Sequence, residues 1–164
     1  MNLGIIGSGK IVHDFLTIAD QIPDLELTAL ATTKRSHQIG LDLQKKYQIT
    51  KLYDNNADLF NDPDVDTVYV AVPNSLHFSI SKEALEAGKN VICEKPFVAT
   101  VDEARELKVI ADQKKLIIIE AITNIYLENF KFIEENLDKI APIHVVNLNF
   151  TQYSSRYDAF SIKG

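Results

Sequence analysis

Apolar positions fall in short runs separated by helix-length amphipathic stretches, and that alternation predicts βαβ units around a parallel sheet. Strands are expected at Asn2–Ile6, Leu25–Ala31, Lys51–Tyr53, Val65–Val72, Asn90–Cys93 and Leu116–Glu120. Val65–Val72 is almost wholly apolar, as a strand buried on both faces requires. Between the strands, helices are predicted over Lys10–Asp20, Ser36–Tyr47, a short segment from Asn56 to Asp62-Pro63, Ser75–Ala87 and Val101–Lys114. Local punctuation supports these bounds. Pro23 lies just past the first helix, Gly88 stands where a C-terminal cap belongs, and Thr100-x-x-Glu103 reads as a capping box. Ala104, Leu107, Ile110 and Ala111 mark the buried face of the last helix. Six strands with crossover helices make two βαβαβ halves.

Past Ala121 the rhythm changes. Leu127–Asp138 reads as an amphipathic helix and Ile143–Phe150 alternates like a strand, while Thr151–Gly164 shows no period. A lone helix and strand cannot build a second core. Residues 1–121 are therefore expected to be a complete doubly wound α/β domain of Rossmann type. Residues 122–164 are expected to begin a truncated second α/β domain. An unpaired strand with an apolar face is expected to be disordered, to dock on the first domain, or to drive self-association, and a homo-oligomer is expected.

Composition narrows the class. With 46% apolar and 24% charged residues in 164, the chain has the make-up of a globular protein. No run approaches the length of a membrane helix, and no secretory leader is evident. A formal charge of −6 without a Lys/Arg cluster argues against nucleic acid as a partner. The single cysteine, Cys93, excludes an internal disulfide or a cysteine-based zinc site and reads as a small buried hydrophobe. A cytoplasmic protein is expected. His13, His37 and His144 lack metal-ligand spacing and receive no role.

The chemistry sits at strand ends. Gly4-Ile5-Ile6-Gly7-Ser8-Gly9-Lys10-Ile11-Val12 has the strand–turn–helix context of a dinucleotide-binding turn. Gly7 suits the tight turn, Gly9 leaves room for a pyrophosphate, and Ser8, Lys10 and Ile11 complete the anion-facing turn. Val12 stands where a third glycine would be. The end of the second strand reads Ala31-Thr32-Thr33-Lys34-Arg35, with no carboxylate to accept from a ribose 2′-hydroxyl. Lys34 and Arg35 would instead attract a 2′-phosphate, with Thr32 and Thr33 as added hydroxyl donors. NADP is the expected cofactor and NAD the other candidate.

Three segments together carry a resemblance: the glycine turn, Pro73-Asn74-x-x-His77, and Glu86-Ala-Gly-Lys-Asn-Val-x-x-Glu94-Lys95-Pro96. Over residues 1 to about 150 the chain resembles the glucose–fructose oxidoreductase/inositol dehydrogenase/rhizopine-catabolism (Gfo/Idh/MocA) family. The resemblance implies hydride transfer between NAD(P) and a sugar, polyol or related alcohol or carbonyl, and it makes residues 122–164 the beginning of an incomplete C-terminal domain for substrate or oligomer contacts. It places Lys95 beside the nicotinamide and the reacting oxygen, where an ammonium stabilises a developing alkoxide. Val72, Pro73, Asn74 and His77 would line the ribose and nicotinamide side. Glu94 would orient Lys95 or touch the cofactor, and a cis Lys95–Pro96 peptide is implied. A further catalytic histidine, supplied in the family by the second domain, has no counterpart here. The rival expectation is a non-catalytic regulatory or scaffolding protein that binds the dinucleotide.

Overall fold

Six short strands form one sheet in the computed structural model, which describes residues 1–149 and 151. In chain order they are β1 (Asn2–Ile6), β2 (Glu26–Ala31), β3 (Lys51–Tyr53), β4 (Thr67–Val70), β5 (Asn90–Cys93) and β6 (Ile118–Glu120). Every pairing is parallel and the spatial order is β3-β2-β1-β4-β5-β6. This is the Rossmann order, with the topological switch between β1 and β4. Crossovers carry α1 (Lys10–Leu16), α2 (His37–Tyr47), α3 (Asn56–Asn61), α4 (His77–Glu86) and α5 (Val101–Lys114).

Strand alternation sorts the core into two layers. Leu3, Ile5, Leu30 and Tyr69 pack on Val12 and Leu16 of α1 and Leu43 of α2. Ile6, Ala29, Ala31, Val68, Val70, Val91 and Cys93 face Leu59 of α3, Ala84 and Leu85 of α4, and Leu107 of α5. Both faces of the sheet are thus covered, which is why its strands read as continuous apolar runs. The Thr100–Glu103 capping box forms as expected, and Gly88 follows α4 at φ +81°. Val12 is fully buried against the sheet where a glycine would allow closer packing.

Some bounds differ from the pattern. α1 ends at Leu16, four residues early, where the Thr17 hydroxyl donates to Asp14 O at 2.7 Å and a 3₁₀ turn (Ala19–Gln21) takes over. A hydroxyl bonded to the preceding carbonyl competes with the helix ladder. Short 3₁₀ turns also precede α2 (Lys34–Ser36) and α4 (Asn74–Leu76).

At the amino edge, charged groups are engaged with one another. Buried Asp62 receives Lys51 Nζ at 2.8 and 2.9 Å and the Tyr53 hydroxyl at 3.1 Å, while Asp64 takes Lys51 Nζ at 2.7 Å. Burial pushes the Asp62 carboxyl up, but the Lys51 ammonium, the Asp64 N–H and Tyr53 outweigh it and hold it below its ordinary value. Buried Lys89 donates to Asp62 O at 2.8 Å and Val65 O at 2.7 Å, satisfying two loop carbonyls.

The chain divides into two units, Met1–Ile122 and Thr123–Gly164. The second contains α6 (Glu128–Asn136) between 3₁₀ turns at Asn124–Tyr126 and Leu137–Ile140, and a cis Ala141–Pro142 peptide. The strand expected over Ile143–Phe150 does not form in its described part, residues 143–149. Alternation matches a strand's period, but a strand exists only where a neighbour takes its N–H and C=O groups. Phe150 and the expected aperiodic tail, apart from Thr151, lie outside the described residues. Among the described residues no helix is long and apolar enough to cross a membrane.

Candidate active site

Because all six strands are parallel, the segments after β1, β2, β4 and β5 emerge at one carboxyl edge. Ligands of open α/β sheets bind there. The turn after β1 is built around Gly7, which has φ +115° and whose N–H donates to Ala31 O at 3.1 Å. A Cβ on Gly7 would stand 2.2 Å from Ala71 O, so backbone closeness alone demands glycine here. Gly9 differs. It caps α1 at φ −77°, and a Cβ there would meet nothing within 4 Å. No protein atom requires that glycine, whereas an anion approaching the backbone would. Ser8, Lys10 and Ile11 complete the turn, with Lys10 and Ile11 exposed.

The segment after β2 lies alongside through the Gly7–Ala31 bond. Lys34 and Arg35 are exposed in its 3₁₀ turn, and neither enters an ion pair among the described residues. The two threonines differ in what their hydroxyls meet. Thr32 is buried with its side chain against Gly40 of α2; its N–H donates to Tyr53 O, while its hydroxyl has no partner among the described residues. The Thr33 hydroxyl pairs with that of Ser36 at 2.9 Å in a capping box. Next to this turn, His37 Nδ1 pairs with Asp54 Oδ1, both groups about half exposed.

The segments after β4 and β5 are tied together. Pro73 and Asn74 are exposed and Val72 is half-buried. His77, expected to line the cofactor, is instead wholly buried, with Nδ1 2.8 Å from Pro96 O and Nε2 2.9 Å from Val72 O. Both ring nitrogens are occupied by backbone, so the side chain has no polar atom left for a ligand. The Lys95–Pro96 peptide is cis, as the resemblance implied.

Glu94 is held from two sides. Its N–H donates to Val70 O at 3.0 Å, and its Oε1 accepts the Tyr69 hydroxyl at 2.7 Å. Oε2 accepts the Lys95 N–H at 3.2 Å, so the carboxylate braces the backbone of the residue it precedes. Burial, with the Glu94 carboxylate adding to it, keeps the Tyr69 hydroxyl firmly protonated. Further along, Glu120 Oε1 takes the Phe97 N–H at 2.9 Å, and Glu103 Oε2 takes those of Ala99 and Thr100 at 3.0 Å. Lys95 is exposed, and among the described residues its Nζ has no partner. Cys93 is buried below, its thiol pushed up to about 11 by that burial, which removes it as a nucleophile. Tyr69, Glu103 and Glu120 carried no site signal in the pattern.

Residues 1–122 match the oxidoreductase family with an NAD-binding Rossmann fold (Gfo/Idh/MocA), and the chain belongs to it. The chain is 32% identical over 160 residues to scyllo-inositol 2-dehydrogenase (NADP(+)) of Bacillus subtilis, covering 98% of this chain and 48% of that protein. It is 36% identical over 125 residues to D-xylose 1-dehydrogenase (NADP(+)) of Hypocrea jecorina, covering 76% of this chain and 29% of that one. Among solved structures, a 3-ketoreductase from Actinomadura kijaniata in complex with NADP and TDP-benzene superposes with a TM-score of 0.78 at 27% identity. That match covers 85% of this chain and 42% of the ketoreductase. The chain thus spans half or less of the length of these relatives.

Proposed function

We propose that residues 1–121 are the cofactor-binding domain of an NADP-dependent oxidoreductase acting on a sugar, polyol or related alcohol or carbonyl, and that residues 122–164 begin its substrate domain. The observation that carries this reading is the open space over Gly9, flanked at the same edge by Lys10, Lys34, Arg35 and Lys95. A bound nicotinamide would accept or release the hydride. Gly7, Ser8, Gly9, Lys10 and Ile11 would hold the pyrophosphate, Lys34 and Arg35 the 2′-phosphate, and Val72, Pro73 and Asn74 the ribose and nicotinamide side. Lys95 would steady the charge of the reacting hydroxyl or pass its proton, and Glu94 fixes the backbone from which Lys95 projects. Thermal-shift or fluorescence titration with NADPH and NADH tests the cofactor. A polyol and sugar screen at the reduced-nicotinamide absorbance, on the whole gene product, tests the reaction. Binding without turnover of any such substrate overturns the catalytic reading. We also infer a cytoplasmic homo-oligomer, supported by the lone free thiol and the exposed apolar residues of α6; sedimentation at several concentrations checks the assembly.

A further inference from the structure

We propose that His77 is a positioning residue, a buried ring whose two nitrogens tie the segment after β4 to the segment after β5 and so hold Lys95 in place. The inference rests on the reading of Lys95 given above. His77 is 0% exposed, and its two nitrogens face Pro96 O and Val72 O at 2.8 and 2.9 Å. A backbone carbonyl accepts and never donates, so a ring N–H donates to the carbonyl it faces. The ring lies wedged between two segments of the chain with no solvent to compete for it.

The placement of the two acceptors matters. Val72 precedes exposed Pro73 and Asn74, and Pro96 follows exposed Lys95. One ring therefore sets the spacing of the two segments expected to face the nicotinamide end. The Glu94 brace to Tyr69 and the Glu120 bond to the Phe97 N–H fix the same stretch from its other sides. The Gly7 turn and the Lys34–Arg35 turn use none of these bonds, so the clamp governs one half of the edge.

The test uses the 164-residue chain, with His77→Gln and His77→Phe. In the wild-type protein, long-range proton–nitrogen correlation spectra should show a His77 ring proton that exchanges slowly with solvent, as an N–H held on a buried carbonyl requires. A ring whose protons exchange freely overturns the proposal, and this measurement needs no variant to fold. The variants should shift the Lys95 and Phe97 amide signals, and unchanged signals count against the clamp. Both variants should bind NADPH about tenfold more weakly while keeping their affinity for adenosine 2′,5′-bisphosphate, which lacks the nicotinamide half. Equal loss for both probes means a general structural role and overturns the positioning claim. If the wild-type chain binds neither probe, the dinucleotide reading has failed, and the ring and amide spectra alone decide the clamp.

Discussion

The two edges of the sheet treat positive charge in opposite ways. At the amino edge Lys51 is bonded to Asp62 and Asp64, and Lys89 is buried with its ammonium on two loop carbonyls. At the carboxyl edge Lys10, Lys34, Arg35 and Lys95 project outward with no ion-pair partner among the described residues. The acids of that edge are engaged elsewhere: Glu94 by the Tyr69 hydroxyl and the Lys95 backbone, Glu120 by the Phe97 N–H, and Asp54 by His37. Parallel strands impose this asymmetry on the chain ends of every unit, but side chains decide how it is used. One edge closes the fold, and the other leaves charge available to an anion.

The contrast breaks first at backbone positions. Gly7→Ala forces a Cβ against Ala71 O at positive φ, so unfolding by urea should show a loss of at least about 3 kcal/mol, with dinucleotide binding lost as well. Lys89→Met removes the donor to two buried carbonyls and should cost about 2–3 kcal/mol in the same assay. The double variant Lys34→Ala/Arg35→Ala should leave stability unchanged but weaken NADP binding by about ten- to a hundred-fold, with NAD affected far less. Equal losses for the two cofactors would show that these cations do not read the 2′-phosphate.

Acid separates the edges more gently. The Asp62 carboxyl is depressed in the folded chain, so its contribution is present above the ordinary carboxylate pKa of about 3.9 and fades as pH falls through the lower folded value. Thermal scans below about pH 4 should therefore show wild type losing stability that Asp62→Asn never had. Lys95→Met should be the mildest change, within about 0.5 kcal/mol in stability, while turnover of the whole gene product collapses.

What could be read from the chain follows how local each cause is. The Thr100–Glu103 capping box and the Gly88 cap depend on neighbours a few residues away, and their pattern announces them; the apolar run at Val65–Val72 announces a strand, but pairing with β1 and β5 limits it to Thr67–Val70. The glycine turn was legible because strand, turn and helix lie in one stretch. Thr33 looked like a free donor until Ser36 took its hydroxyl, and burial of Thr32 against Gly40 of α2 is set by a helix that the local motif does not show. His77 looked like a ligand-facing histidine, since nothing in a linear motif shows that Pro96, nineteen residues on, takes one of its nitrogens. Ile143–Phe150 fails for a related reason. Its alternation is correct, but pairing is supplied by another strand.

Position 9 separates two demands that usually coincide in a glycine. Among the described residues no atom stands over Gly9, and its backbone angles suit any residue. Alanine there should fold at least as well as glycine, since it narrows the unfolded ensemble without strain. A bulkier side chain would still leave the domain intact while filling the approach to the turn. A mutational scan scored by cellular abundance would then rate position 9 as permissive and position 7 as intolerant. Scored by NADPH binding, the same library should rate both as intolerant. The difference between the two maps would outline the cofactor's footprint without any ligand-bound structure.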